Sequence, residues 1–270
     1  TAYLAEKLGQ LIVESKLLPA GAFGLICGSV GDLLDHLTCQ DVLTFTGSAA
    51  TGVKLRTHNS IVQNSVRFNM EADSLNCCIL GPDAAPGSDE FDLFIKEVSR
   101  EMTVKAGQKC TAIRRTIVPE SYTQAVIEAL KKRLAGVKLG DPAVEGVRMG
   151  PLASRGQVKE VGARVDELKQ AGELVFGNPG DFDVVGADRE QGAFFPVLLL
   201  HCPDPLRRDQ PHDVEAFGPV STVMPYQTLD DAIELAKRGR GSLCGSLFTN
   251  DDNVARQVTF GLAPYHGRLL

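Results

Sequence analysis

Apolar residues recur at helical spacing at Leu4, Leu8, Leu11 and Ile12, which predicts an opening helix that Leu18-Pro19-Ala20-Gly21 ends. The continuous apolar run over residues 23–27 predicts a strand. A helix over 30–36, a strand over 42–46, a helix over 48–57 and a strand over 65–69 follow. Beyond Glu71 the units lengthen: a strand over 76–80, a loop rich in Pro, Gly and Asp, a helix over 90–104, a turn around Cys110, a strand over 116–118 and a helix over 121–134. Helices over 154–171, 229–238 and 252–260 then alternate with strands near Leu174, over 196–201 and over 242–249. The polar, Gly- and Asp-rich residues 177–192 read as a surface loop or hairpin, and the last six residues as the approach to another strand. Strands alternating with helices define an α/β protein with a parallel sheet.

Composition narrows the partners. A chain of 270 residues can bury a core in two domains or one large one. A net charge of -6, with Lys131-Lys132-Arg133 reading as the solvated end of a helix, argues against nucleic acid or an anionic membrane as the main partner. No apolar run approaches the ~20 residues that span a bilayer, and the start lacks a basic segment followed by an apolar one. Seven cysteines, an odd number with Cys77 and Cys78 adjacent and no CxxC pair, suggest neither a disulfide framework nor a zinc site. The five histidines show no ligand spacing, so no metal is expected, and His212-Asp213 reads as a surface pair. A cytoplasmic location is the expectation. The chain opens without Met directly into helix, which suggests a piece of a longer polypeptide.

The candidate chemistry centres on Cys110, in Ala106-Gly107-Gln108-Lys109-Cys110-Thr111. Small residues before a thiol permit close approach to an electrophilic carbonyl, with backbone N–H groups facing the developing oxyanion. A free cysteine is by itself more often a core residue, and Cys77 and Cys78, in an apolar run, are read as core. What changes the balance for Cys110 is its company. Asn69-Met70-Glu71-Ala72-Asp73 ends a strand, and Glu215-Ala216-Phe217-Gly218-Pro219-Val220 precedes an apolar run. Ser48 stands where a helix N-cap belongs, between Gly47 and Gly52, in Phe45-Thr46-Gly47-Ser48-Ala49-Ala50-Thr51-Gly52. Gly140-Asp141-Pro142, Gly150-Pro151-Leu152 and Gly192-Ala193-Phe194-Phe195-Pro196 complete the set.

Together, in this order and spacing, these motifs resemble the aldehyde dehydrogenase superfamily over nearly the whole chain. The resemblance implies Cys110 as nucleophile and Glu71 as the base that activates water. It further implies Glu215 with Phe217 at the nicotinamide ribose, and Gly47, Ser48 and Gly52 beside the cofactor pyrophosphate. A carboxylate accepts two hydrogen bonds from a diol, and a thiolate attacks aldehydes better than a hydroxyl does, so the residue types suit these roles. It also implies a partial Rossmann-like cofactor sheet, the second half of that domain, over 1–71. A catalytic α/β domain over 72–262 and a return toward the cofactor domain over 263–270 complete the expected division. The family's oxyanion asparagine and adenosine-side lysine would precede this chain, and the whole protein would be a homo-oligomer.

Most relatives follow the base with Leu-Gly-Gly-Lys, where this chain has Ala72-Asp73-Ser74-Leu75-Asn76. That variant, with the run from Lys105 to Arg115, is most similar to the branch of the family found in bifunctional phenylacetate-degradation proteins. The likeness implies NADP, with NAD as the other choice, and a small-molecule aldehyde linked to CoA. The benzoate-pathway branch that oxidises a dehydroadipyl-CoA semialdehyde shares the same run. A CoA-acylating enzyme fits less well, because that chemistry needs no water-activating Glu71. An inactive structural piece lacking half of the cofactor site is the reading from a different class.

Overall fold

The opening helix forms as α1 (Ala2–Glu14), in a computed structural model that describes residues 2–270. The chain divides into two units, the first ending at Asp73 and the second starting at Ser74. In the first, α1 buries Gly9 against Leu25. Residues 23–27 stay irregular instead of forming the expected strand, and Leu25 and Ile26 are exposed. The two strands of this unit pair with each other, so the 23–27 run has no ladder to join and its backbone groups face water. The helix expected over 30–36 shrinks to a 3-10 turn, Leu33–His36, because Gly31 sits at a left-handed φ of +59°.

The strands are β1 (Val42–Gly47) and β2 (Arg67–Ala72), joined by α2 (Ala49–Arg56) and α3 (Asn59–Gln63). They pair in parallel, with Thr46 opposite Glu71 and Gly47 opposite Ala72. Gly52 lets α2 lie on this pair, since a β-carbon there would run into the Met70 sulfur.

The second unit is built on seven strands. In chain order its elements are β3 (Cys77–Leu80), α4 (Asp89–Thr103), β4 (Arg115–Pro119), α5 (Thr123–Leu134), α6 (Arg155–Leu168), β5 (Glu173–Phe176) and β6 (Leu198–His201). They continue with α7 (Gln210–Asp213), β7 (Val220–Tyr226), α8 (Leu229–Lys237), β8 (Ser242–Phe248), α9 (Asp252–Leu262) and β9 (His266–Leu269). The strand order is β5-β6-β7-β4-β3-β8-β9, parallel throughout except for the antiparallel edge pair β5–β6. The strand after Glu215, β7, is therefore central. Residues 263–270 add β9 to this same sheet beside β8.

Side chains alternate across β3 and sort into two cores. Cys78 and Leu80 pack with Phe94, Val98, Leu130 and Val161 of α4, α5 and α6, while Cys77 and Ile79 pack with Leu235 and Val258 of α8 and α9. Helices on both faces of a mostly parallel sheet explain why its strands read as continuous apolar runs. Among the described residues no helix is long and apolar enough to cross a membrane.

Arg115 and His212, two titratable groups, sit inside this core. Arg115, fully buried, donates to the carbonyls of Leu75 (2.7 Å), Leu235 (2.6 Å) and Ala236 (2.9 Å). The last two are carbonyls of the final turn of α8, whose dipole offsets the buried charge. Gly239 leaves room for the guanidinium. His212 is not the surface residue expected from sequence: it is 3% exposed, with Nδ1 3.2 Å from Arg115 and Nε2 3.0 Å from the Pro205 carbonyl. A guanidinium only donates and a carbonyl only accepts, so the ring is neutral with its proton on Nε2.

Burial, with Arg115 adding to it and the Pro205 carbonyl opposing, lowers His212 to about 4. The unfolded chain takes up this proton near pH 6.5, so the stabilisation is complete above that pH and is lost as pH falls toward 4. The span corresponds to about 3 kcal/mol. Urea titrations over pH 7 to 4 are expected to show this loss, and His212→Asn to flatten it. An unchanged slope in the variant would contradict the assignment.

Candidate active site

The site in the second unit gathers at the amino ends of β3, β4, β7 and β8, which the parallel registers place side by side. After α4 the chain turns through three consecutive left-handed residues, Lys105 (φ 54°), Ala106 (φ 52°) and Gly107 (φ 68°). The first two carry β-carbons, at about 1–2 kcal/mol each. At Gly107 a β-carbon would strike the Gly218 carbonyl, so only glycine fits.

The turn around Cys110 is tied down at several points. The Gln108 amide donates to the Lys105 carbonyl (2.9 Å), and its oxygen accepts from the Ala153 N–H (2.7 Å), linking the turn to the loop after Gly150-Pro151-Leu152. Lys109 Nζ pairs with the Glu101 carboxylate of α4 at 2.7 and 2.8 Å. The buried Asn76 donates to the carbonyls of Cys110 (2.8 Å) and Ala112 (3.0 Å), while its oxygen accepts from Ser74 Oγ (2.7 Å) and the Cys244 N–H (3.0 Å). Ser74 and Asn76 lie in the segment where the sequence departs from Leu-Gly-Gly-Lys, and there they position the turn.

Cys110 itself is exposed on this fixed backbone. Cys77, Cys78, Cys202 and Cys244 are buried, and burial raises all four thiols, Cys77 to about 11. They are held as inert thiols, as the sequence implied for Cys77 and Cys78.

Glu215 and Phe217 come from the segment before β7. The Glu215 side chain is 6% exposed and meets Arg114 Nε at 3.3 Å through one oxygen and the Ser74 N–H at 3.2 Å through the other. The Arg114 guanidinium lies 5.3 Å from the Phe217 ring centroid. The structure thus brings the Cys110 turn and Glu215 into one hydrogen-bonded frame, with the Phe217 ring against its Arg114. Sequence reasoning missed Arg114, Asn76, Gln108 and Glu101. For Arg114 the available signal was two adjacent arginines leading into the run Thr116-Ile117-Val118, since buried arginine requires partners.

Four other expected site residues lie together in the first unit. Glu71 is exposed on β2, at the end where Gly47 leads into α2. Ser48 is the α2 N-cap, its Oγ accepting from the Thr51 N–H at 3.3 Å. The Ala49 N–H at the same terminus donates to the Asp73 carboxylate at 2.9 Å. Gly52 faces Met70, so its immediate role is packing.

A doubly covered sheet that holds an exposed cysteine on a strained turn defines an α/β protein with a preorganised thiol. Residues 1–263 match the model of the aldehyde dehydrogenase family. The chain belongs to that family. It is 48% identical over 270 residues to 3,4-dehydroadipyl-CoA semialdehyde dehydrogenase of Aromatoleum evansii, covering all of this chain and 52% of that protein. Among solved structures, betaine aldehyde dehydrogenase of Staphylococcus aureus in complex with NAD+ is similar, with a TM-score of 0.82, 26% identity and coverage of 96% of this chain and 50% of that one. An NAD-dependent aldehyde dehydrogenase from Sinorhizobium meliloti shares the fold at a TM-score of 0.82 and 24% identity, covering all of this chain and 51% of that one. The chain spans about half the length of the proteins it matches.

Proposed function

We propose that this chain carries the nucleophile of an NAD(P)-dependent aldehyde dehydrogenase that oxidises a CoA-linked aliphatic semialdehyde to the acid. The observation that carries the reading is the exposed Cys110 on a turn held by Asn76, Gln108 and Lys109. The Cys110 sulfur adds to the aldehyde carbon to give a thiohemiacetal. A nicotinamide cofactor, when bound, supplies the hydride acceptor that leaves a thioester. Glu71 takes a proton from water, which attacks the thioester carbonyl, releases the acid and returns the thiol. The semialdehyde oxidised by the Aromatoleum evansii relative favours a dehydroadipyl-CoA substrate over the phenylacetate-derived one.

The residues fit a dinucleotide. Each unit by itself holds groups of the types a dinucleotide needs: in the second, the Glu215 carboxylate, held by Arg114 and the Ser74 N–H in the segment of Phe217, and in the first, the N–H groups at the N-terminus of α2. Asp73 competes there, because its carboxylate already holds the Ala49 N–H. Asp73→Asn keeps the hydrogen bond and removes the charge, so nucleotide affinity is expected to rise by about two- to fivefold at low ionic strength and less in salt. Calorimetry with NAD and NADP checks this, and weaker binding by the variant would remove α2 from the phosphate site.

The central test is the pH-dependent alkylation rate of every cysteine, followed by mass spectrometry with and without a long-chain semialdehyde. Cys110 is expected to react fastest and to be protected by the aldehyde. Reactivity no greater than that of the exposed Cys27 and Cys39, without protection, would remove the nucleophile assignment.

A further inference from the structure

The Arg114 side chain touches both segments of the second-unit site. Its Nη2 donates to the carbonyls of Gly107 (2.8 Å) and Lys109 (3.4 Å) on the cysteine turn, and its Nη1 to the Gly218 carbonyl (2.7 Å) on the segment before β7. Its Nε meets the Glu215 carboxylate (3.3 Å), and its flat face covers the Phe217 ring (5.3 Å). The side chain is 4% exposed. The two segments are more than a hundred residues apart in sequence, and they approach through backbone, because Gly107 has no β-carbon to strike the Gly218 carbonyl. The turn they form carries two left-handed residues with β-carbons, a conformation that persists only where its surroundings impose it.

We propose that Arg114 is a positioning residue for the Cys110 thiol, a fork that clamps the strained cysteine turn to the Glu215 segment. The inference rests on Cys110 being the nucleophile and adds what sets its geometry. A guanidinium suits this task because its donors are coplanar and fixed, so one group can point at three carbonyls and a carboxylate at once. Lysine keeps the charge but not the fork. Arg114 differs in this from Arg115, whose partners lie at α8 and His212 on the far side of the strand.

The test uses two variants of the chain, Arg114→Lys and Glu215→Gln. The first preserves the positive charge beside Glu215 and loses the paired donors to Gly107 and Gly218; the second keeps those donors and loses the ion pair. For each, the alkylation rate of every cysteine is measured against pH, with amide hydrogen exchange over residues 105–112. In Arg114→Lys the Cys110 profile is expected to change by about tenfold or more toward that of Cys27, with loss of amide protection confined to the turn. In Glu215→Gln, which keeps the donors to Gly107 and Gly218, amide protection over 105–112 is expected to stay near that of the parent. Cys77 and Cys78, buried in the parent, report whether each variant is folded.

A folded Arg114→Lys with unchanged Cys110 profile and unchanged exchange overturns the proposal. So does one in which Cys77 and Cys78 become reactive, since Arg114 then supports the whole unit and not the turn. Were Cys110 in the parent no different from Cys27, the nucleophile reading itself would fall, and exchange in the turn would still decide the role of Arg114.

Discussion

Cys110→Ala is expected to lower aldehyde oxidation by at least about 10⁴-fold in kcat/KM, the scale set by removing a covalent nucleophile while leaving binding groups in place. The sulfur is the only atom the chemistry loses. Cys110 is exposed, and its position is set through its backbone carbonyl by Asn76, so stability should change by no more than the roughly ±0.5 kcal/mol typical of surface changes. Cys110→Ser should recover little, because a hydroxyl is a far weaker nucleophile than a thiolate. The measurement is steady-state nicotinamide reduction with a CoA-linked semialdehyde, in the protein that contains this chain, alongside calorimetric melting. An active alanine variant would end the covalent mechanism proposed here.

The largest stability effect is expected at Arg115. Arg115→Met fills a similar volume but leaves the Leu235 carbonyl and Nδ1 of His212 without the guanidinium donor in a dry interior, while the Ala236 carbonyl keeps the Gly239 N–H. Removing one side of a buried charged network costs about 3–5 kcal/mol. For a unit of this size that lowers the thermal midpoint by about 10 °C. Scanning calorimetry checks it. A midpoint within two or three degrees of the parent, about what 1 kcal/mol gives, would mean that the α8 carbonyls find water or other donors and that the guanidinium contributes little.

Most helices and strands were legible because their periodicity is local. The β3 run, the amphipathic α4 and the capped α8 and α9 follow from spacing and cap residues alone. The misses have physical causes. Residues 23–27 have the composition of a strand but no partner to pair with, and Gly31 and Ser65, both at positive φ, shorten a helix and delay a strand. His212 reads as a polar surface pair, because nothing local announces that Arg115, ninety-seven positions earlier, will meet it inside the protein.

For the candidate site the division is similar. The sequence by itself determined the residue types and their order: Cys110 after a glycine, Glu71 at a strand end, Ser48 as an N-cap, and Glu215 with Phe217 before β7. The tertiary structure alone decided that the cysteine turn adopts three left-handed residues, that it lies against Gly218, and that Asn76, Gln108 and Arg114 hold it there. It also decided that these segments meet at the amino ends of the strands, opposite to the carboxyl ends where open α/β sheets usually bind ligands. The reason is physical: helix and strand patterns are set by neighbours a few residues apart. A strained turn and a buried guanidinium are stable only through hydrogen bonds to partners dozens to more than a hundred positions away, and those exist only once the sheet has formed.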